Sequence, residues 1–168
     1  IHKFQLSDYK ARQFNSIGQL IYRKNINSII YKFHRFISQK EYSDFILLIA
    51  GRGPLKNELQ KLVSDLDINK NVVFLGFLSH EQLNKYLSES YASLIDTRND
   101  LNMVSIPEAI VSGTPILTNT IPALANYINK NKLGIAKEQW DHKDLEQIVK
   151  DNTYKNNCLK IRNTLSTE

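Results

Sequence analysis

Short apolar runs alternate with longer stretches in which apolar residues recur every three or four positions, and this alternation repeats along the chain. The runs QFNSIGQL (13–20), FILLIA (45–50), VVFLG (72–76), YASLID (91–96), PILT (115–118) and LGIA (133–136) read as strands. Between them the spacing predicts helices over 25–39, 54–66, 79–89, 104–112, 122–129 and 142–150, with another over 154–165. Several helix starts carry their own chemistry: Pro54 after Gly53 suits a first turn, and Ser79 with Gln82 has the spacing of a capping box. Such alternation predicts an α/β fold with a doubly wound, mostly parallel six-stranded sheet. Right-handed crossovers then collect the C-terminal ends of the strands on one edge, where ligands bind in sheets of this kind. The loops on that edge are Gln19–Lys24, Gly51–Pro54, Gly76–Ser79, Asp96–Asn102 and Asn119–Pro122, and the unusual residues fall in them.

Residues 96–118, DTRNDLNMVSIPEAIVSGTPILT, concentrate the chemistry. A loop holding Asp96 and Asp100 runs into a helix that should start near Met103 or Val104, because Pro107 fits a helix only in its first turn. The amides of Met103, Val104 and Ser105 then lack intrahelical partners and suit an anion, with the positive end of the helix dipole behind them. Glu108 sits one turn in. A carboxylate there would repel a phosphate placed on top of it, so its natural use is to accept hydrogen bonds from sugar hydroxyls nearby. Together these residues make a layout for a diphosphate and a ribose. The competing reading has Glu108 as a first-turn glutamate stabilised by the dipole, worth under about 1 kcal/mol, and Asp100 as a helix cap.

Other loops add weaker signals. Gly51-Arg52-Gly53-Pro54 follows a buried run and permits a tight turn into a helix, with Arg52 as suited to solvent as to a ligand. Phe77 and Leu78, two large apolar residues after Gly76, either pack the sheet edge or flank a flat base. Lys24 stands at the expected start of the first helix, where the dipole slightly disfavours a cation. Asp96 at a strand end looks like a receiver-domain phosphoacceptor, but the acidic pair that would hold magnesium beside it is absent. His2, His34, His80 and His142 share no metal-ligand spacing, and no metal or cofactor is expected.

With 168 residues, 42% of them hydrophobic and 23% charged, the chain has the composition of one soluble globular domain. Residues 13–168 are assigned to it, and the polar residues 1–12 to a linker or N-terminal extension. The net charge of +5 fits nucleic acid, an acidic membrane surface or an anionic small substrate. Nucleic acid fits worst, since the Lys and Arg residues form no stripe interleaved with aromatics. No apolar run is long enough to span a bilayer, and a lone Cys158 fits a reducing compartment. The expected location is cytoplasmic, with room for peripheral association at the inner face of the membrane. Abundant Asn, Ile and Lys suggest an AT-rich bacterial source.

Asp100, seven intervening residues, Glu108, Ala109 and then Gly113-Thr114-Pro115 resemble the two-acid signature of the family-four (group 1) retaining glycosyltransferases. Three upstream stretches match in order: Gly18-Gln19-Leu20 with Lys24, IAGRGPL at 49–55 and NVVFLGFLSHEQL at 71–83. The resemblance implies the C-terminal, donor-binding half of an enzyme of two facing Rossmann-like domains, the GT-B fold, with an N-terminal acceptor domain lying outside this chain. It implies metal-free transfer of a hexose, with retention, from a nucleoside diphosphate sugar to a glycan or lipid-linked acceptor. Under it Lys24 neutralises the departing diphosphate, Asp100 lies by the hexose, and Glu108 binds the ribose hydroxyls. Gly18, Gln19, Gly51 and Gly53 line the donor cleft, Phe77 and Leu78 contact the base, and Met103, Val104 and Ser105 take the diphosphate. The chain departs from the family at Gln19, where arginine is usual, and at Asp100, usually a glutamate. Leu101 and Asn102 stand where two glycines commonly follow, and Asn126 where an acid is frequent. These departures support an alternative, a non-catalytic nucleotide-sugar-binding or degenerate partner domain; an epimerase would need further acids.

Overall fold

The six apolar runs pair into one sheet, and all of its pairings are parallel. The computed structural model describes residues 11–166, so nearly all of the segment assigned to a linker lies outside the described residues. Strands β1 (Gln13–Ile17), β2 (Ile46–Ala50), β3 (Val72–Gly76), β4 (Ser93–Leu94), β5 (Ile116–Thr118) and β6 (Gly134–Ala136) stand in the order β3-β2-β1-β4-β5-β6. Helices α1 (Ile26–Ile37), α2 (Lys56–Asp65), α3 (His80–Glu89), α4 (Ser105–Val111), α5 (Ala125–Lys130), α6 (His142–Lys150) and α7 (Thr153–Ser166) connect and cover it.

The layers follow from strand periodicity. Successive residues of a strand face opposite sides of the sheet, and on β5 Ile116 and Leu117 belong to two different cores. One core packs Phe33 and Phe36 of α1, Leu59 of α2 and Leu145 of α6 with Phe14, Leu47 and Ile49 of the sheet. The other gathers Leu87 of α3, Ile106 and Ile110 of α4, Ile128 of α5 and Cys158 of α7. Within the first, Phe14 stacks on Phe45 at 5.3 Å between ring centroids, and Phe36 meets it edge-on at 5.4 Å. Both faces are therefore covered, as a parallel sheet requires. Cys158 is buried in the second core, and burial pushes its thiol up to about 12.

Several boundaries differ from expectation at the ligand edge: α2 starts at Lys56 instead of residue 54 and α5 at Ala125 instead of residue 122, and three others shape the site. The first strand stops at Ile17 instead of Leu20, because Gly18 turns the chain with φ +148°. The Leu20 amide then donates to the carbonyl of Arg52 in the neighbouring loop instead of to a strand. The first helix does not begin at Asn25: a 3-10 turn, Tyr22–Lys24, comes first, and Asn25 separates it from α1 in a left-handed conformation with φ 53°. The fourth strand is short, although Tyr91 and Ile95 still donate to Gln13 and Leu117 on its two neighbours. By contrast the capping box at Ser79 and Gln82 forms as the spacing predicts.

Gly51 and Gly53 bring two of the edge loops into backbone contact. The Gly18 amide donates to Ala50 at 3.0 Å, Leu20 to Arg52 at 2.9 Å, and Leu55 back to Leu20 at 3.1 Å. A Cβ on Gly51 would lie 1.8 Å from the Gly18 carbonyl oxygen, and one on Gly53 2.4 Å from that of Leu20. Gly76 also has positive φ, at +68°, but a Cβ there would meet nothing within 4 Å. We expect Gly51→Ala to cost at least about 3 kcal/mol through combined steric and backbone strain, and Gly76→Ala only about 1 kcal/mol. Urea denaturation of both variants checks this; equal losses would refute a loop-to-loop lock at Gly51.

Candidate functional site

Strand order reverses between β1 and β4, so the chains leaving their C-terminal ends part in opposite directions and open a crevice. Ser16, Ile17, Gly18 and Lys24 line it from the β1 side, and Leu94, Ile95, Asp96 and Met103 from the β4 side. The two loops bordering it are stitched together. The Arg98 amide donates to the Arg23 carbonyl at 2.9 Å, with the Thr97 hydroxyl oxygen 3.2 Å from the same carbonyl, and Arg98 Nε donates to the Tyr22 carbonyl at 2.9 Å. The Arg98 guanidinium also lies 3.9 Å from the Tyr22 ring centroid, and Asn25 donates to the Asp96 carbonyl. The 3-10 turn is thereby fixed against the Asp96–Asn102 loop.

That stitching places two cations on one carboxylate. Arg23 Nε is 2.9 Å from Asp100 Oδ1, and Lys24 Nζ is 2.9 Å from Asp100 Oδ2. The side chain of Asp100 is 14% exposed, that of Lys24 20% and that of Arg23 51%. Thr97 completes the arrangement: its hydroxyl donates to Asp100 Oδ2 and accepts from the Asp100 amide. Burial would raise the pKa of Asp100, but the hydrogen bonds of Lys24 and Thr97 and the charges of Lys24 and Arg23 outweigh it. The carboxyl ends below its ordinary value and stays ionised. Asp100 caps no helix, since α4 begins at Ser105 and its N-cap is Val104. Nor is Lys24 a solvated cation on a helix start: its stem crosses Gly18, where a Cβ would lie 3.5 Å from Lys24 Cε.

Asp96 has a different neighbourhood and no free oxygen to offer. Lys32 Nζ lies 2.8 Å from its Oδ2, the Ser28 hydroxyl donates to the same oxygen, and Asn119 donates to its Oδ1 at 3.2 Å. Lys32 also sits 4.4 Å from the centroid of the buried Trp140 ring, whose Nε1 donates to the Ile95 carbonyl. This network ties α1, β4, the β5 loop and the segment before α6 to one another, which is a structural task. Sequence reasoning did not find it, nor Arg23 and Thr97 as partners of Asp100, because all of these pairings except Thr97 to Asp100 join residues more than twenty positions apart.

The remaining candidates occupy the same edge. Pro107 falls in the first turn of α4, as its chemistry demands. Met103 is buried in the second core, which anchors the start of the helix, while Val104 is exposed and Ser105 half-buried. The Met103 carbonyl accepts from Ile106, and among the described residues the amides of Met103, Val104 and Ser105 have no acceptor. Glu108 is half-buried, and its carboxylate has no hydrogen-bond or ionic partner among the described residues. Gln19 is exposed. Phe77 is 70% exposed with the guanidinium of the exposed Arg52 4.9 Å from its ring centroid; Leu78 is half-buried. Leu101 and Asn102 line an apolar groove with Val104, Pro107 and Leu124. No three His, Cys, Asp or Glu side chains converge as a metal site, and no helix is long and apolar enough to cross a membrane, among the described residues.

The family model for glycosyl transferases group 1 matches residues 1–161. The chain belongs to this family. Group 1 relatives extend well beyond it. It is 26% identical over 119 residues to the alpha-monoglucosyldiacylglycerol synthase of Streptococcus pneumoniae, covering 71% of the chain and 26% of that protein. Its fold superposes on WaaG, a glycosyltransferase involved in lipopolysaccharide biosynthesis, with TM-score 0.78 and 17% identity over 95% of the chain and 44% of WaaG. It superposes with TM-score 0.77 and 19% identity on Staphylococcus aureus TarM, solved with fondaparinux, alpha-GlcNAc-glycerol and UDP, over 95% of the chain and 33% of TarM. The chain thus spans between about a quarter and a half of these three proteins.

The lowered Asp100 value fixes a pH dependence for this group 1 domain. A carboxyl whose folded value lies below its unfolded one contributes stability that is full above the unfolded value, near 3.8, and is lost as pH falls through the folded value. The stability difference between wild type and Asp100→Asn should therefore be largest at about pH 7 and shrink below about pH 3. Urea denaturation at both pH values checks this; a difference that grows on acidification would contradict the ion-paired Asp100.

Proposed function

We propose that this chain is the donor-binding half of a retaining glycosyltransferase, moving a hexose from a nucleoside diphosphate sugar to a glycan or lipid-linked acceptor. The observation that carries the reading is the convergence of Lys24 and Asp100, the two residues assigned to the reacting end of the donor, at the crevice between β1 and β4. In doubly wound sheets that is where nucleotides bind. Membership of the group 1 family and the UDP held by TarM support a nucleotide sugar as ligand.

The residues divide the donor between them. Lys24 supplies positive charge where the diphosphate departs, a stabilisation that grows as the bond to the sugar breaks. The amides of Met103, Val104 and Ser105 offer donors to phosphate oxygens. Glu108, whose carboxylate oxygens are unengaged among the described residues, accepts from the ribose hydroxyls. Gly18 and Gln19 with Gly51 and Gly53 form the floor, Gly51 and Gly53 letting the two turns pack backbone to backbone beneath the ligand. Phe77 and Leu78 flank the base, with Arg52 already on one face of the Phe77 ring. Asp100 stands by the hexose. The acceptor and the opposing wall of the cleft belong to an N-terminal domain, and the assembled enzyme acts at the cytoplasmic side of a membrane.

Calorimetric titration of the chain with UDP, GDP and ADP tests the reading, and absence of binding to all three would overturn it. Glu108→Ala should weaken the nucleotide that binds by about 1.5–3 kcal/mol, the worth of a charged hydrogen bond, with the fold unchanged by circular dichroism. Affinity within about twofold of wild type, a difference well under 1 kcal/mol, would remove Glu108 from the site.

The chain by itself should bind nucleotide weakly, with a dissociation constant of about 10 μM to 1 mM, because one wall buries the ligand incompletely. It should transfer no sugar. Alignment of donor with acceptor and exclusion of water both require the cleft to close. Robust transfer by this chain to any acceptor, followed by product release in a radiolabelled-donor assay, would refute the two-domain reading.

A further inference from the structure

The diphosphate subsite of the proposed donor site lacks one cation at Gln19, which is exposed and uncharged. We infer that Arg23 supplies that cation, and that Asp100 occupies the phosphate-binding position of the Arg23 and Lys24 pair until a nucleotide displaces it. The inference rests on the donor-site reading above and assigns a residue that the two-acid signature and the Gly18–Lys24 motif do not include.

Geometry carries the assignment. Arg23 and Lys24 each reach a different oxygen of one carboxylate at 2.9 Å, so their charged groups already converge on a single anion with two adjacent oxygens. Two neighbouring phosphate oxygens present the same pattern, and guanidinium is suited to it. Other cations near this edge are engaged elsewhere. Arg98 is held by the Tyr22 ring and carbonyl, Arg52 lies on Phe77, and Lys32 is bound between Asp96 and Trp140. The main chain of Arg23 is anchored through its carbonyl by the Arg98 amide, while its side chain is half exposed. It can change partner without the turn moving.

Charge gives the direction of exchange. Two cations against one carboxylate leave one net positive charge, so the group is not neutralised by Asp100 and still attracts an anion. A diphosphate brings more negative charge than a carboxylate and competes for both cations. Asp100 is then released, and its oxygens become available to hydroxyls of the sugar that follows the diphosphate. The shorter side chain at this position keeps the carboxylate close to the turn, where it holds the two cations together while the site is empty.

The test compares a nucleoside diphosphate with its parent nucleoside on wild type, Arg23→Gln, and the double variant Gln19→Arg with Arg23→Gln, by calorimetry or nuclear magnetic resonance titration. Arg23→Gln should weaken the diphosphate at least about tenfold, the effect of one charged hydrogen bond, and leave the nucleoside within about twofold. The double variant should recover most of the loss, because arginine at position 19 restores a cation by the family's usual route. Diphosphate affinity unchanged in Arg23→Gln would overturn the assignment of Arg23 while leaving the donor site standing. Equal losses for nucleoside and diphosphate would overturn it too, showing that Arg23 only maintains the fold of the turn. Failure of wild type to bind any of UDP, GDP and ADP would overturn the donor-site reading and this inference with it.

Discussion

The backbone contact between the Gly18–Leu20 turn and the Gly51–Gly53 turn is the constraint on which the site depends. No side chain fits between them: a Cβ on either Gly51 or Gly53 would fall inside a carbonyl group. Their mutual hydrogen bonds end β1 at Ile17 and force the next residues into a turn, which sends Tyr22, Arg23 and Lys24 across the switch point instead of onward into a helix. The left-handed Asn25 then resets the direction so that α1 can return along the sheet and bury Phe33 and Phe36. A polar site is thus assembled by the same residues that close the first core.

On the opposite side of the crevice the loop after β4 is held by charge and hydrogen bonding instead of by close packing. Asp96 and Asp100 lie four positions apart and have separate tasks. Asp96 is buried and saturated by Ser28, Lys32 and Asn119, which secures the base of the loop. Asp100 is partly exposed and shared by Arg23 and Lys24, whose partners can change. A buried, fully satisfied ion pair resists rearrangement, because separating it leaves a charge without solvent or partner. The Arg23 side of the Asp100 cluster is 51% exposed, and a contact of that kind exchanges at small cost. Rigidity beneath and mobility of partners above is what a site that must grip and release a diphosphate requires.

Much of the fold was legible locally. The apolar runs located all six strands, and Ser79 with Gln82, and Pro107, marked helix starts because each signal acts through backbone geometry within one turn, whereas Pro54 lies just before α2 instead of in its first turn. Boundaries failed where a distant residue set them. Leu20 reads as strand because it is apolar, but its amide is taken by Arg52 in another loop. Asn25 reads as the start of a helix because nothing in its neighbours reveals its left-handed conformation. The family signature similarly brought out Lys24, Asp100 and Glu108 as separate candidates with separate roles.

Sequence by itself determined the alternation of strand and helix, the family, and the identity of most groups at the ligand edge, because periodicity, turn chemistry and a motif in fixed order are all written along the chain. Tertiary structure alone decided which of those groups touch. The pairing of Arg23 and Lys24 on Asp100 and the saturation of Asp96 depend on two loops from the centre of the sheet meeting across a reversal in strand order. Ionic and hydrogen-bonded partners are chosen by distance in space, and spacing along the chain carries no record of that distance once the partners lie on different strands.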